Sequence, residues 1–178
     1  GGTEYFTEYD GAITEAMVER GITLSATVPA GGFRELRELR AAHLEGRPET
    51  PRQTARRIGL ERRFERKFTT LDRIMRDGML GHIQITTDAG PLRTQFGHFS
   101  DAIRGAVEAG MTVDKALAAA TEVPARTCGL PDVGHLSVGA VADILVLAGD
   151  PRDDLDLIDD PRAVILGGER VESAGLIG

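Results

Sequence analysis

The chain has 178 residues, 41% of them apolar, and a formal net charge of −7. That is enough apolar matter for one ordinary core, and it excludes a disordered or fibrous chain. No run approaches the ~18 consecutive apolar residues of a membrane span, so a soluble protein is expected.

The amino terminus, Gly1-Gly2-Thr3-Glu4, has neither the basic nor the apolar region of an export signal, which points to the cytoplasm. Its glycine in place of methionine suggests a cleaved, tagged or truncated start. Ile13, Ala16, Met17 and Arg20 recur at helical spacing up to Gly21; Ile22, Leu24, Ala26 and Val28 then alternate with Thr23, Ser25 and Thr27. This predicts a helix followed by a strand. Residues 34–76 hold 13 of the 21 Lys+Arg and 7 of the 28 Asp+Glu, so this stretch is +6 and the remainder −13. Glu35, Glu38, Glu45, Glu61, Glu65 and Asp72 interleave with the cations, as on a solvated helix face rather than a nucleic-acid footprint. Phe64, Phe68, Leu71 and Met75 predict a helix running to Gly78, with the two phenylalanines in the core and not on a base-stacking surface.

A strand is predicted over 82–87, then an amphipathic helix from His98 to Ala109 through Phe99, Ile103 and Val107, closed at Gly110. Thr112 caps a further helix through Leu117 and Ala120 to about Thr127. The single cysteine, Cys128, cannot form an internal disulfide and reads as a small buried thiol. Beyond Gly129, Leu136, the run Ile144–Leu147 and the run Val164–Leu166 stand among Gly, Asp and Pro as short strands of a β-rich unit. The expected division is therefore 1–129 and 130–178.

Alternating helices and strands predict an α/β fold with parallel packing, in which functional groups gather at the carboxyl ends of strands. Asp88, in Thr86-Thr87-Asp88-Ala89-Gly90-Pro91, stands at such an end. A carboxylate there can be a metal ligand, a general base, a helix cap or simply a turn residue. Arg93 and Gln95 in the following loop, and His98 at the start of the next helix, can contact substrate or be ordinary polar loop and helix-start residues. His82 falls at the opposite strand end; His43 and His135 have no partner visible in the sequence. Asp143 reads as a turn or backbone-bonding residue.

The carboxyl-terminal third carries Gly110-Met111-Thr112, then Ala116-Leu117 and Ala120-Thr121, then Gly134-x-Leu136-x-x-Gly139-x-x-Ala142-Asp143-Ile144, and finally Val164 with Gly168 and Val171. This series resembles the end of the amidohydrolase superfamily, metal-dependent hydrolases built on a (β/α)8 barrel with a small appended β domain. "TTDAG" at 86–90 is similar to the family's eighth strand, and residues 1–28 to the stretch joining its sixth strand to its seventh. "TDAG" followed by "FGHF" most resembles the imidazolonepropionase and Xaa-Pro dipeptidase-like branch. The likeness is weakest over 30–77. It implies a partial barrel, strands seven and eight with their helices, plus the carboxyl-terminal β segment.

For Asp88 the resemblance implies a metal-coordinating carboxylate that takes a proton from the attacking water and passes it to the leaving amine. It implies hydrolysis of an amide, cyclic amide or peptide C–N bond in a small-molecule or dipeptide substrate, weak substrate contacts at His98 and Arg93, and a homo-oligomer when complete. The cofactor implied is a divalent metal, zinc by preference, as one or two ions in the whole enzyme and none on this chain alone. The family's His-x-His pair and the histidines of its fifth and sixth strands are absent, the sixth-strand histidine being expected just before Gly1. Lys67 and Lys115 fall in helical patterns and do not match its carboxylated lysine. The remaining strands are expected elsewhere in the polypeptide or in a second chain. Two other readings stand behind this one: a non-catalytic interaction module, and, last, a nucleic-acid binder through residues 34–76.

Overall fold

The computed structural model describes residues 9–90 and 94–171. Asp10 opens the first helix, α1 (Gly11–Glu19), its carboxylate accepting from the Ala12 N–H at 2.9 Å. The chain then forms β1 (Leu24–Ala26) and two helices, α2 (Phe33–Leu44) and α3 (Pro51–Arg76). Thr50 and Gln53 start α3 reciprocally: the Thr50 hydroxyl accepts from the Gln53 N–H at 3.3 Å, and the Gln53 side chain accepts from the Thr50 N–H at 2.9 Å. The charged stretch is thus a helical hairpin, closed by Phe33, Leu36, Leu60 and Phe64, with Phe68 packed against them. The Phe33 and Phe64 rings lie 5.2 Å apart and the Phe33 and Phe68 rings 5.9 Å, contact geometry that favours edge and tilted pairs.

After a 3-10 turn (Met79–His82) comes β2 (Ile83–Ile85). His82 therefore ends that turn instead of opening the strand. β1 and β2 pair in parallel, Leu24 with Ile83, Ser25 with Gln84 and Ala26 with Ile85, and the Thr86 N–H extends the ladder to the Ala26 carbonyl at 3.1 Å. One face of this pair is buried: Ala26, Ile83 and Ile85 form a core with Leu71, Met75, Met79, Ala102, Ile103, Ala106 and Ala116. The other face carries Ser25 and Gln84, which hydrogen-bond across the strands.

Three helices follow, α4 (Ser100–Glu108), α5 (Val113–Ala120) and α6 (Glu122–Thr127). Thr112 caps α5 as the sequence predicts, its hydroxyl accepting from the Lys115 N–H at 3.3 Å. The single helix expected to Thr127 is broken at Thr121, because Pro124 has no N–H to offer Ala120 and is tolerated only in the first turn of a new helix. Cys128 is exposed, not buried, as it terminates α6 at the surface.

The carboxyl-terminal strands β3 (Ile144–Val146), β4 (Ala163–Leu166) and β5 (Glu169–Val171) form an antiparallel sheet in that order. Leu136 is not in a strand: it lies between turns at Gly134 and Gly139, is 82% exposed, and meets no strand among the described residues. Asp143 accepts the Gly167 N–H at 2.8 Å, the backbone-bonding role expected of it. A second 3-10 turn (Leu155–Ile158) buries Leu155 in the main core. No helix among the described residues is long and apolar enough to cross a membrane.

α4 reaches the sheet through small residues. A Cβ on Gly105 would stand 2.5 Å from Val28 Cγ1, inside a contact that the buried, β-branched Val28 cannot relieve. Alanine has the better helix propensity by about 1 kcal/mol. Overpacking of about 1–3 kcal/mol outweighs it. Gly105→Ala is therefore expected to lower the urea midpoint; an unchanged or raised midpoint would contradict this packing.

Candidate active site

The loops after β1 and β2 leave from the same side of the sheet, because the strands are parallel. Asp88 lies three residues past the end of β2 and is solvent-exposed. Its φ of +54° makes it the one non-glycine residue in the left-handed region among the described residues. That conformation costs roughly 1–2 kcal/mol, less for Asp than for most residues, and such outliers concentrate at functional sites. The turn reading is also partly right: the Thr87 hydroxyl accepts from the Ala89 N–H at 3.2 Å, and the Gly90 N–H donates to the Thr94 carbonyl at 2.8 Å. The helix-cap reading is ruled out. The next helix, α4, is capped from far away, its Ser100 N–H donating to Asp159 at 2.8 Å and its Ser100 hydroxyl at 2.6 Å.

Beneath the strand ends lies Lys67, 6% exposed, on the core stripe of α3. Its ammonium donates to the Ala30 carbonyl at 2.7 Å and the Val28 carbonyl at 3.4 Å, and stands 5.2 Å from the Phe64 ring centroid. Burial lowers its pKa from 10.5 to about 8; Arg63 lowers it further, and the Asp88 charge opposes both. Sequence reasoning set Lys67 aside as a helical lysine. The signal was there: in the series Leu60, Phe64, Lys67, Leu71, Met75, a cation occupies a position where the period calls for an apolar side chain.

His98 belongs to an ionic cluster at the start of α4. Its Nδ1 is 3.5 Å from an Asp159 oxygen. Arg34 Nε donates to the buried Asp101 at 2.8 Å, and Arg37 donates to both Asp101 and Asp156. Burial pushes the Asp156 carboxyl up, but its hydrogen bond from Arg104 and the charge of Arg37 hold it below its ordinary value. Pro29, Arg34, Thr94, Gln95, His98 and Asp101 enclose a cavity of about 20 Å³, room for one water molecule. No hydrogen bond or ion pair joins His98 to Asp88 among the described residues. Arg93 lies outside the described residues.

His43 and His135 lie elsewhere and have partners the sequence did not reveal. His43 Nδ1 is 3.6 Å from Glu49 and 3.4 Å from Arg57, and His135 Nε2 is 2.9 Å from the Pro131 carbonyl. Among the described residues no group of three or more His, Cys, Asp or Glu is arranged to hold a metal ion. Asp88 offers one carboxylate where catalytic zinc takes three protein ligands, so the donor set of the described residues does not by itself fit a metal centre.

Residues 2–171 match the amidohydrolase family, and the chain belongs to that family as a carboxyl-terminal portion of it. It is similar to N-acyl-D-glutamate deacylase of Alcaligenes xylosoxydans xylosoxydans, with 35% identity over 95 residues, 52% of this chain and 20% of that protein. Among solved structures it resembles a Xaa-Pro dipeptidase with methionine bound in its active site, at a TM-score of 0.67 and 26% identity over 92% of this chain and 37% of that one. It also resembles a prolidase complexed with N-methylphosphonate-L-proline, at a TM-score of 0.65 and 23% identity over 93% of this chain and 38% of that one. These neighbours imply a TIM-barrel-type fold, and the chain spans well under half the length of each of them.

The depressed Lys67 pKa has a definite sign in stability. Between about pH 8 and 10.5 the unfolded chain retains a lysine proton that the folded protein has released, so folding gains with rising pH, by at most about 1.4 kcal/mol per pH unit. Urea denaturation at pH 7.5 and 10 should show the stability of the wild type rising relative to that of Lys67→Met. A difference that stays flat or falls would contradict the burial of this amine.

Proposed function

We propose that the chain is the carboxyl-terminal part of an amidohydrolase that cleaves the C–N bond of an N-acyl amino acid or dipeptide. In this reading β1 and β2 are strands seven and eight of a (β/α)8 barrel, residues 130–178 are the carboxyl-terminal segment of the β domain, and the other strands lie outside these residues, in the same polypeptide or a second chain. The observation that carries the reading is Asp88: a carboxylate in a strained, left-handed conformation at the carboxyl end of a parallel strand, in a chain of this family.

The chemistry follows from what a carboxylate at that place can do. Water attacking an acyl carbon must lose a proton, and the leaving nitrogen must gain one to depart as a neutral amine. Asp88, exposed at the strand ends, accepts the first and delivers the second. Such general acid–base work contributes about 10²–10⁴ in rate. The substrate class is suggested by the names of two relatives, an N-acyl-D-glutamate deacylase and a Xaa-Pro dipeptidase. We assign the divalent ion used by the family, zinc by preference, to the assembled barrel, with Asp88 as one ligand and the others outside this chain.

The test is Asp88→Asn in the assembled barrel, assayed with a series of N-acyl amino acids and dipeptides. The expected result is a fall in kcat of at least about 100-fold with an unchanged circular dichroism spectrum. Activity near that of the wild type would refute the role.

A further inference from the structure

The loop joining β1 to α2 is buried from Val28 through Phe33. Buried carbonyls need partners, and those of this loop can be accounted for one by one. The Thr27 carbonyl accepts from the Ala30 N–H at 3.3 Å, that of Pro29 from the Phe33 N–H at 3.3 Å, and that of Gly32 from the Leu36 N–H at 3.0 Å. The three between them take no backbone donor among the described residues; they are served by cations of α3. Lys67 Nζ reaches Val28 and Ala30, and Arg63 Nη1 reaches Gly31 at 3.3 Å. Residues 63 and 67 are one helical turn apart and so share a face.

Gly31 shows how close this approach is. Its φ is +93°, and a Cβ there would stand 2.8 Å from Arg63 Cζ, so a side chain would drive the guanidinium away. The register places the clamp at the site. Ala26 pairs with Ile85, Val28 is two residues beyond Ala26, and Asp88 is three beyond Ile85. The anchored loop and Asp88 therefore leave the sheet side by side. An apolar residue would fill the Lys67 position at lower desolvation cost, but it could not bind two carbonyls.

We propose that Lys67 is a positioning residue of the candidate active site, its buried ammonium holding the loop after β1 at the height of the strand ends beside Asp88. The proposal rests on the reading of Asp88 given above. Arg63 holds the neighbouring carbonyl, and together the two cations turn a loop without regular structure into a fixed wall.

The test compares wild type, Lys67→Met and Lys67→Arg in the assembled barrel by hydrogen exchange and by steady-state hydrolysis of the dipeptide that the wild type cleaves best. In Lys67→Met, exchange in a peptide covering residues 27–34 is expected to quicken at least about tenfold. Its kcat is expected to fall at least about tenfold, with KM within about twofold of the wild type. Lys67→Arg, which keeps the charge, should recover most of both. Unchanged exchange overturns the anchoring, and fast exchange with unchanged kcat overturns the link to the site. If Lys67→Met does not fold, Lys67→Gln, which keeps a donor, is read in the same two assays. A wild type without hydrolytic activity overturns the reading of Asp88 and this proposal with it; an active wild type matched by its variant overturns this proposal alone.

Discussion

The parallel pairing of β1 with β2 is the constraint on which the rest of the molecule depends. Parallel neighbours cannot be joined by a tight turn, so the chain must leave the end of β1 and return to the start of β2. It does so through the α2–α3 hairpin, whose 26-residue second helix spans about 39 Å. That return path explains the charge asymmetry. A long excursion with one apolar stripe needs a solvated opposite face, and its arginines and glutamates supply one. The same pairing sends both following loops out on one side, which puts Asp88 beside the loop that Lys67 and Arg63 hold.

The sheet is finished on one face only. Ala26, Ile83 and Ile85 are sealed by helices, whereas the opposite face carries Ser25 and Gln84, whose amide donates to the Ser25 hydroxyl. Among the described residues these two strands also leave two unpaired edges, which natural proteins cover, shorten or pair. In the barrel reading proposed above, these edges are where the neighbouring strands would pair. The carboxyl-terminal segment, by contrast, is tied firmly to α4: Asp159 caps the helix, and Asp156 and Asp101 draw in Arg34, Arg37 and Arg104. Charges that a plain reading of the sequence would leave on the surface thus fix how the last segment meets the helical layer.

What the sequence made legible were features repeated at short range. Helical spacing marked α1, α3 and α4, alternation marked β1, and Thr112 announced α5 because a cap acts on the N–H three residues on. Asp88 was legible as a strand-end carboxylate and gained a family role by resemblance. The rest depended on distance along the chain. Asp159 caps a helix that starts 59 residues earlier, and Lys67 serves carbonyls 37 and 39 residues away, so neither contact has a local signature. Leu136 reads as strand because it is an apolar residue set among Gly, Asp and Pro, but a strand exists only where a partner ladder does. The break at Thr121 follows from Pro124, which has no N–H to continue the ladder of the preceding helix. Cys128 was assigned to the interior from residue type alone, and a helix end carried it to the surface.

The central claim is that Asp88 is one part of a site whose other parts lie in barrel strands beyond this segment. Anomalous diffraction from a crystal of the assembled barrel tests it most directly. The account predicts a peak at a transition-metal absorption edge about 2.0–2.2 Å from an Asp88 carboxylate oxygen, with its other ligands contributed from outside these 178 residues. A fully occupied metal site to which Asp88 contributes nothing would contradict it.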